Sequence, residues 1–576
     1  MTAIPNRPDQ PENSTLRGTE TAELGFSADL GVNGSERVGG PSWTGLFREL
    51  PRWVWLVALT AALLHMTPYW HAQYSARGDW SFTGNLTLSP DYMQYRVWER
   101  QSGREGPIVT NRFTTEPNAR YLPVFFYWAI GGAARATGAT PEAVYAYSGA
   151  LLAVVLVVLL FGVMREFLPD PAHHTWPLIA LIFGGGVGGH LKLLQALPGI
   201  GTSAIVERLV TQPLDDWPVF DEYRSHYVVR TLFDSHFLLL WIACVAAVFA
   251  LYLAVRRWTP ERAAGVCALF AGVTLLHIYE GLTLVAIAMG AAAALWRDTP
   301  EGVNARRAAA WTTATVALCY LALGLLFRRS GLSLPSWHAI NILSATLLVA
   351  FPISWVLLAV GGVRYFRDGG VPARFIIGWA LACTAVTLSG PFYPYPDRGT
   401  MTMQVPLLIA TGAIYFMRWR RLTMRAGVIA LVLMGATPLW QFSRSWYYSG
   451  FRADAPFMHI NGAHRQSLAA LHQAADTSDV LLAEPRDLLW LAPEFPGRFY
   501  VGHFFLTVNY KAKNEALTRA VLSPDSMRTL LQRSGGTLLF INADRQPPRF
   551  AALGNLQPLA QTDVGTLFRV GGDARK

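Results

Sequence analysis

Apolar runs of the length needed to cross a bilayer, about 17–25 residues each, recur through most of the chain. They fall near 53–70, 143–168, 176–196, 231–255, 262–279, 280–296, 308–328, 341–363, 373–391, 402–417 and 425–442. This pattern predicts eleven membrane-spanning helices. A shorter, glycine-rich apolar run at 122–137 carries Arg135 and reads as a helix lying on the membrane surface. Residues 1–48 are polar, with Pro, Gly, Ser and acids, and read as a disordered cytoplasmic tail. The first apolar run starts near Trp53, too far into the chain for a cleavable signal peptide. From residue 451 the pattern changes. Short β-type runs (Val480–Glu484, Phe499–His503, Thr537–Asn542, Thr566–Val570) alternate with helical stretches near 464–475, 510–521 and 525–534. That alternation predicts a small α/β domain.

The expected fold class is therefore a polytopic α-helical membrane protein, with a membrane domain over 49–450 and a C-terminal α/β domain over 451–576. Composition agrees. Of 576 residues, 52% are apolar and only 15% charged, against about 25% charged in a soluble domain. That balance excludes a disordered chain, a coiled coil and a string of soluble domains. The four cysteines, Cys244, Cys267, Cys319 and Cys383, all sit inside apolar runs, so they read as small packing residues rather than a disulfide framework. The cluster Gly184–Gly185–Gly186–Val187–Gly188–Gly189 lacks a following Gly-Lys-Ser/Thr, so close helix packing explains it better than a phosphate loop.

The net charge of +10 would suggest nucleic acid in a soluble protein. Here the arginines mark topology instead. With the N-terminus placed in the cytoplasm, fourteen arginines fall in the cytoplasmic loops and six in the shorter outer loops, as the positive-inside rule requires. Eleven spans then put the C-terminal domain outside, and no nucleic-acid partner is expected.

Polar groups at a membrane edge are functional candidates because they are costly there, and most gather on the outer side. The long first outer loop (71–142) contains Ser89-Pro90-Asp91-Tyr92-Met93-Gln94-Tyr95-Arg96-Val97-Trp98-Glu99. Ser89 suits a helix cap and Pro90 its first turn. Asp91 then lies at the helix start, where it either complements the helix dipole or takes a proton from a substrate hydroxyl. Tyr92, Tyr95 and Glu99 follow at helical spacing, an interfacial pattern. His277-Ile278-Tyr279-Glu280 forms an outer turn with imidazole and carboxylate on one helix face. They could bind a metal, orient a sugar or pair with each other. Phe233-Asp234-Ser235-His236, preceded by Glu222 and His226, could complete the same cavity. In Pro394-Tyr395-Pro396-Asp397-Arg398-Gly399, Arg398 either binds a phosphate bidentately or pairs with Asp397; Arg328 and Arg329 are the runners-up for a phosphate.

Downstream of Asp91 come Thr110-Asn111-Arg112-Phe113-Thr114-Thr115-Glu116-Pro117 and Tyr121-Leu122-Pro123. An Asp-Tyr-x-x-Tyr helix, a Phe-Thr-x-Glu-Pro-like stretch and a Leu-Pro-opened surface helix in one long outer loop resemble the GT-C superfamily. These are integral-membrane glycosyltransferases that use polyprenyl-phosphate sugars, and the likeness is to its poorly characterised bacterial branch. The C-terminal Tyr500-Val501-Gly502-His503 and Thr507-x-x-Tyr510-x-x-Lys513 are similar to the family's extracytoplasmic domains. The likeness covers most of residues 50–570 through short motifs.

The resemblance implies transfer of a sugar from a polyprenyl-phosphate donor to an envelope glycan, lipid or protein acceptor, at the outer face of a bacterial plasma membrane. It implies Asp91 as catalytic base or metal-binding acid, and Arg398 as the holder of the lipid phosphate. Glu116, His236, His277 and Glu280 join the substrate-binding candidates. Better-known members carry two neighbouring acids where only Asp91 occurs here; a divalent metal ion is the candidate cofactor, with no ligands assigned. The rival readings are a transporter or lipid flippase, which would carry mid-span ionisable pairs or inverted repeats, and a non-catalytic envelope assembly protein.

Overall fold

The computed structural model describes residues 50–86, 90–168, 170–184, 213–214, 217–218, 234–329, 352–389, 398–418, 442, 446–447, 449–451, 453, 458–504 and 506–571. The chain is predominantly helical. Among the described residues, four helices are long and apolar enough to cross a membrane: Pro141–Phe167, Ser235–Arg256, Pro300–Leu326 and Gly370–Leu388. Ile278–Ala294 and Thr402–Tyr415 are apolar but shorter. The expected run at 425–442 lies almost wholly outside the described residues, as do parts of 176–196 and 341–363.

We label the helices in chain order: α1 Arg52–Ser75, α2 Pro90–Glu105, α3 Phe125–Thr137, α4 Pro141–Phe167, α5 Thr175–Phe183, α6 Ser235–Arg256, α7 Pro260–Leu276, α8 Ile278–Ala294, α9 Pro300–Arg329, α10 Pro352–Asp368, α11 Gly370–Leu388 and α12 Arg398–Arg418. Those of the C-terminal region are α13 Gly462–Ala474, α14 Pro485–Leu491, α15 Tyr510–Ala520, α16 Pro524–Ser534 and α17 Pro548–Ala551.

Helix α4 packs on α1 and α6, and α11 on α8 and α12. One continuous apolar core joins them, including Leu156, Leu160, Trp241, Val248, Phe270, Ile287, Phe375 and Trp379. Helices α8 and α11 cross at Gly290 and Gly378, where an added Cβ on either would meet the other's carbonyl oxygen at 2.5–2.6 Å. Only glycine permits that approach.

Of the helix expected at 122–137, Phe125–Thr137 is present as α3, with Leu122–Pro123 extended before it; it stops at Gly138, whose left-handed φ of 71° ends the helix. Before it, the long loop between α1 and α4 forms short strands: β1 Ser81–Phe82, β2 Ile108–Val109 and β3 Leu122–Pro123. Two short strands follow in mid-chain, β4 Pro213–Leu214 and β5 Trp217–Pro218.

Near the C-terminus, β6 His459–Ile460 pairs antiparallel with β1. A five-stranded mixed sheet follows, built from β7 Val480–Leu482, β8 Arg498–Phe499, β9 Leu538–Asn542, β10 Leu556–Thr562 and β11 Gly565–Val570. Its order is β10-β11-β9-β7-β8, with β7 parallel to both neighbours and β10-β11-β9 antiparallel. The period-two alternation of strands divides its side chains between two cores. Leu482, Leu539, Ile541 and Phe568 face Leu517, Met527 and Leu531 of α15 and α16. Leu481, Leu538, Phe540 and Leu567 face Leu471, Leu488 and Trp490 of α13 and α14.

That second core also takes in Met93, Val97 and Phe113 of the long loop. The loop and the C-terminal sheet therefore share one hydrophobic interior. Strand β10 was not anticipated, because its Pro558 argues against a strand. It survives as the edge of the sheet, with a register shift between Pro558 and Ala560, where a missing N–H is tolerated.

Candidate functional site at the start of the long-loop helix

Helix α2 is the hub of the long loop, and it is buried on several faces. Met93 and Val97 enter the C-terminal core. Tyr92 and Tyr95 enter a second cluster with Tyr127 and Ile130 of α3 and Tyr145 of α4. Gly131 lets α3 close on α2; a Cβ there would lie 2.4 Å from the Glu99 carbonyl oxygen. The helix stops at Gly106, whose φ is +90°.

Tyr92, Tyr95 and Glu99, expected at an interface, are all buried in the protein. Arg96 contacts both Glu99 oxygens at 2.7 and 2.9 Å and the Asn85 oxygen at 3.2 Å, and lies 4.4 Å from the centre of the Tyr145 ring. Burial pushes the Glu99 carboxyl up to about 7, against the pull of Arg96.

Asp91 stands in the first turn of α2. Its Oδ1 lies 2.9 Å from Nε2 of His503, a residue 412 positions away in the C-terminal region. The Asp91 side chain is 46% exposed and that of His503 only 2%. The loop carrying His503 is fixed to the long loop by several bonds. Thr507 Oγ1 donates to the Phe113 carbonyl at 2.6 Å, Asn111 Nδ2 to the Leu506 carbonyl at 2.7 Å, and the Phe499 N–H to the Arg112 carbonyl at 2.8 Å. An imidazole held this way fixes the rotamer of a carboxylate that still reaches solvent.

One residue on, Tyr92 lies against Tyr145, ring centroids 6.2 Å apart. The Tyr145 hydroxyl donates to Asp234 Oδ1 at 2.7 Å. Asp234 caps α6 by accepting the N–H of His236 at 3.0 Å. The His236 ring stacks on Tyr127 at 5.7 Å and lies 5.3 Å from Tyr95 and 5.9 Å from His277. His277 is the extended residue joining α7 to α8, and its Nδ1 contacts Glu280 Oε2 in the first turn of α8. The Tyr320 hydroxyl of α9 donates to the carbonyl of Ile278 and braces this turn.

His236, His277 and Glu280 thus share one aromatic-walled cluster that adjoins the start of α2. Glu116 lies elsewhere. It binds Lys513 Nζ at 2.7 and 2.8 Å and accepts from Thr114, and it fastens the long loop to α15. Burial opposes the ionised form, but the Lys513 and Thr114 bonds hold its carboxyl below the ordinary range. Arg398 opens α12, but its side chain lies outside the described residues, as do those of Arg328 and Arg329. Glu222, His226, Asp397, Ser89 and most of the glycine cluster at 184–189 also lie outside them.

Among the described residues, no group of three or more His, Cys, Asp or Glu side chains converges as a metal site. In the sequence His503 closes the Tyr500-Val501-Gly502-His503 run, and nothing local ties it to Asp91. No protein-family model matches the chain, and no curated protein matches it.

Proposed function

We propose that this protein is a polytopic glycosyltransferase that moves a sugar from a polyprenyl-phosphate donor to an acceptor at the outer face of a bacterial plasma membrane. In this reading the chain crosses the membrane eleven times with its N-terminus in the cytoplasm. The long loop and the C-terminal sheet form one extracytoplasmic body.

The observation that carries the reading is the half-exposed Asp91 carboxylate, set by the buried His503 beside an aromatic and histidine-lined cluster. A carboxylate in that setting suits a general base. Asp91 takes the proton of the acceptor hydroxyl as its oxygen attacks the anomeric carbon. The bond from that carbon to the donor phosphate breaks, the electron pair leaves with the phosphate, and the sugar carbon inverts. Arg398 neutralises the departing phosphate, the kind of electrostatic stabilisation that supplies much of catalysis. His277, the part-exposed member of the cluster, contacts the sugar, and the buried Glu280 and His236 set the position of its ring.

The test uses purified full-length protein in lipid nanodiscs with a radiolabelled polyprenyl-phosphate sugar and a panel of envelope acceptors. Transfer from the lipid-linked donor, weakened when Arg398→Ala lowers donor affinity, is expected. No transfer to any acceptor, together with ion-coupled solute uptake in proteoliposomes, would move the protein to the transporter class.

A further inference from the structure

A polar cavity of about 350 Å³ opens between the long loop and the edge of the C-terminal sheet. Its walls include Glu105, Asn111, Arg112, Thr477, Gly497 and Arg498. Asn111 and the Arg112 carbonyl also anchor the His503 loop, but the Arg112 and Arg498 side chains bind Glu105 and the Thr115 carbonyl. The volume falls at the lower end of the range of small-molecule sites, roughly 300–1,000 Å³.

The walls are rigid and unevenly charged. Arg112 and Arg498 stand on hydrogen-bonded neighbouring segments, since the Arg112 carbonyl accepts the Phe499 N–H at 2.8 Å and the Asp479 carbonyl accepts the Arg498 N–H at 2.9 Å. Gly497 presents bare backbone, because an added Cβ would lie 2.3 Å from the Asp479 carbonyl oxygen. The one carboxylate, Glu105, is already engaged. It accepts from the Thr110 N–H at 2.8 Å, Gln101 Nε2 at 2.8 Å, Thr110 Oγ1 at 3.0 Å and Arg112 Nη2 at 3.2 Å.

Among the described residues each arginine side chain, by contrast, gives one bond: Arg112 to Glu105 and Arg498 Nη1 to the Thr115 carbonyl at 2.9 Å. A guanidinium carries five N–H donors in a planar fork. The cavity therefore has spare donors and spare positive charge, and its only carboxylate is saturated. Asn118 is spent on the loop itself, and Asn111 on the loop and the Leu506 carbonyl. What the site lacks is an oxyanion.

We propose that this cavity binds a small organic oxyanion, a carboxylate or phosphate on a body about the size of a sugar ring, through the guanidinium groups of Arg112 and Arg498. This site is separate from Asp91 and does not depend on the transferase reading.

The test is isothermal titration of the full chain in nanodiscs with glucuronate, glucose 6-phosphate, inorganic phosphate and neutral glucose. Saturable, mutually competitive binding of the anions and none by glucose is expected. Tighter glucuronate binding assigns the natural ligand to carboxylates, and tighter glucose 6-phosphate binding assigns it to phosphoesters. Arg498→Gln should weaken the anions about tenfold or more, the loss expected for one charge-assisted bidentate contact. Arg498→Lys, which keeps the charge but not the fork, should fall between. Arg112→Gln should act in the same direction, with folding checked by an unchanged unfolding midpoint. Asp91→Asn should leave this binding intact. Equal affinity for glucose and glucuronate, unchanged anion affinity in Arg498→Gln, or no saturable anion binding would overturn the proposal.

Discussion

Helix α2 carries two acid–base pairs a turn or two apart, in opposite environments. Arg96–Glu99 is sealed, with side chains 1% and 0% exposed, and both partners lie on the same helix. Asp91–His503 joins the long loop to the C-terminal region and leaves its carboxylate 46% exposed. Both are close contacts of 2.7–2.9 Å. The sealed pair cannot meet a substrate, so its consequence is structural: it fixes how α2 is rotated against α4, with Tyr145 beneath the guanidinium. The open pair has a rigid half and an accessible half, the arrangement proton transfer needs. Close contact alone does not distinguish a site from a brace; the exposure of the acid does.

The largest effect should come from breaking the sealed pair. Arg96→Met leaves Glu99 buried without its cation and should cost about 3–5 kcal/mol, read as a lower unfolding midpoint in detergent. The double change Arg96→Met/Glu99→Leu should recover most of that loss. Equal damage in single and double variants would show that the pair is not what holds the helix.

Next is the open pair's anchor. We predict that His503→Ala leaves folding nearly intact and lowers kcat roughly tenfold to a hundredfold, part of the 10²–10⁴ that a general base supplies. His503→Gln, which keeps an N–H within reach of Asp91, should recover part of it. If KM moved instead of kcat, His503 would belong to substrate binding.

A graded effect with pH comes third. Glu99 is raised from 4.5 to about 7 in the folded chain, so the folded state holds a proton that the unfolded chain has lost. Its contribution to stability therefore falls as pH climbs from about 4.5 to about 7, and is constant above that. Denaturant titrations over this range should show the decline, and Glu99→Gln should flatten it.

The smallest effect belongs to the seam. Glu116 is more than a third exposed in its pair with Lys513. Lys513→Ala should cost no more than about 0.5 kcal/mol once solvent screening is counted, with a matching loss for Glu116→Gln.

Much of this was legible in the sequence where the signal is local. The helix within 122–137, the three helices and three of the four strands named in the C-terminal region, and the His277–Glu280 contact follow from periodicity or from three-residue spacing; the strand expected at Phe499–His503 is one only over Arg498–Phe499. Helix α14 and strand β10 did not, the first because it has only seven residues and the second because Pro558 masks an edge strand. The sharing of one core by Met93, Val97 and Leu481 was not legible either, because the alternation within each segment does not name its partner. The same holds for Asp91 and His503: the helix start gave Asp91 its place, but its partner comes from the fold. The burial of Tyr92, Tyr95 and Glu99 reverses the interfacial reading, since the same spacing serves an amphipathic surface helix and a helix enclosed by α3 and α4.

The central claim is that the exposed half of the open pair does the chemistry. Single-turnover sugar transfer from a polyprenyl-phosphate donor by Asp91→Asn, compared with wild type at matched unfolding midpoints, tests it most directly. A loss of roughly a hundredfold or more in rate with donor affinity retained is predicted; transfer at the wild-type rate would contradict it.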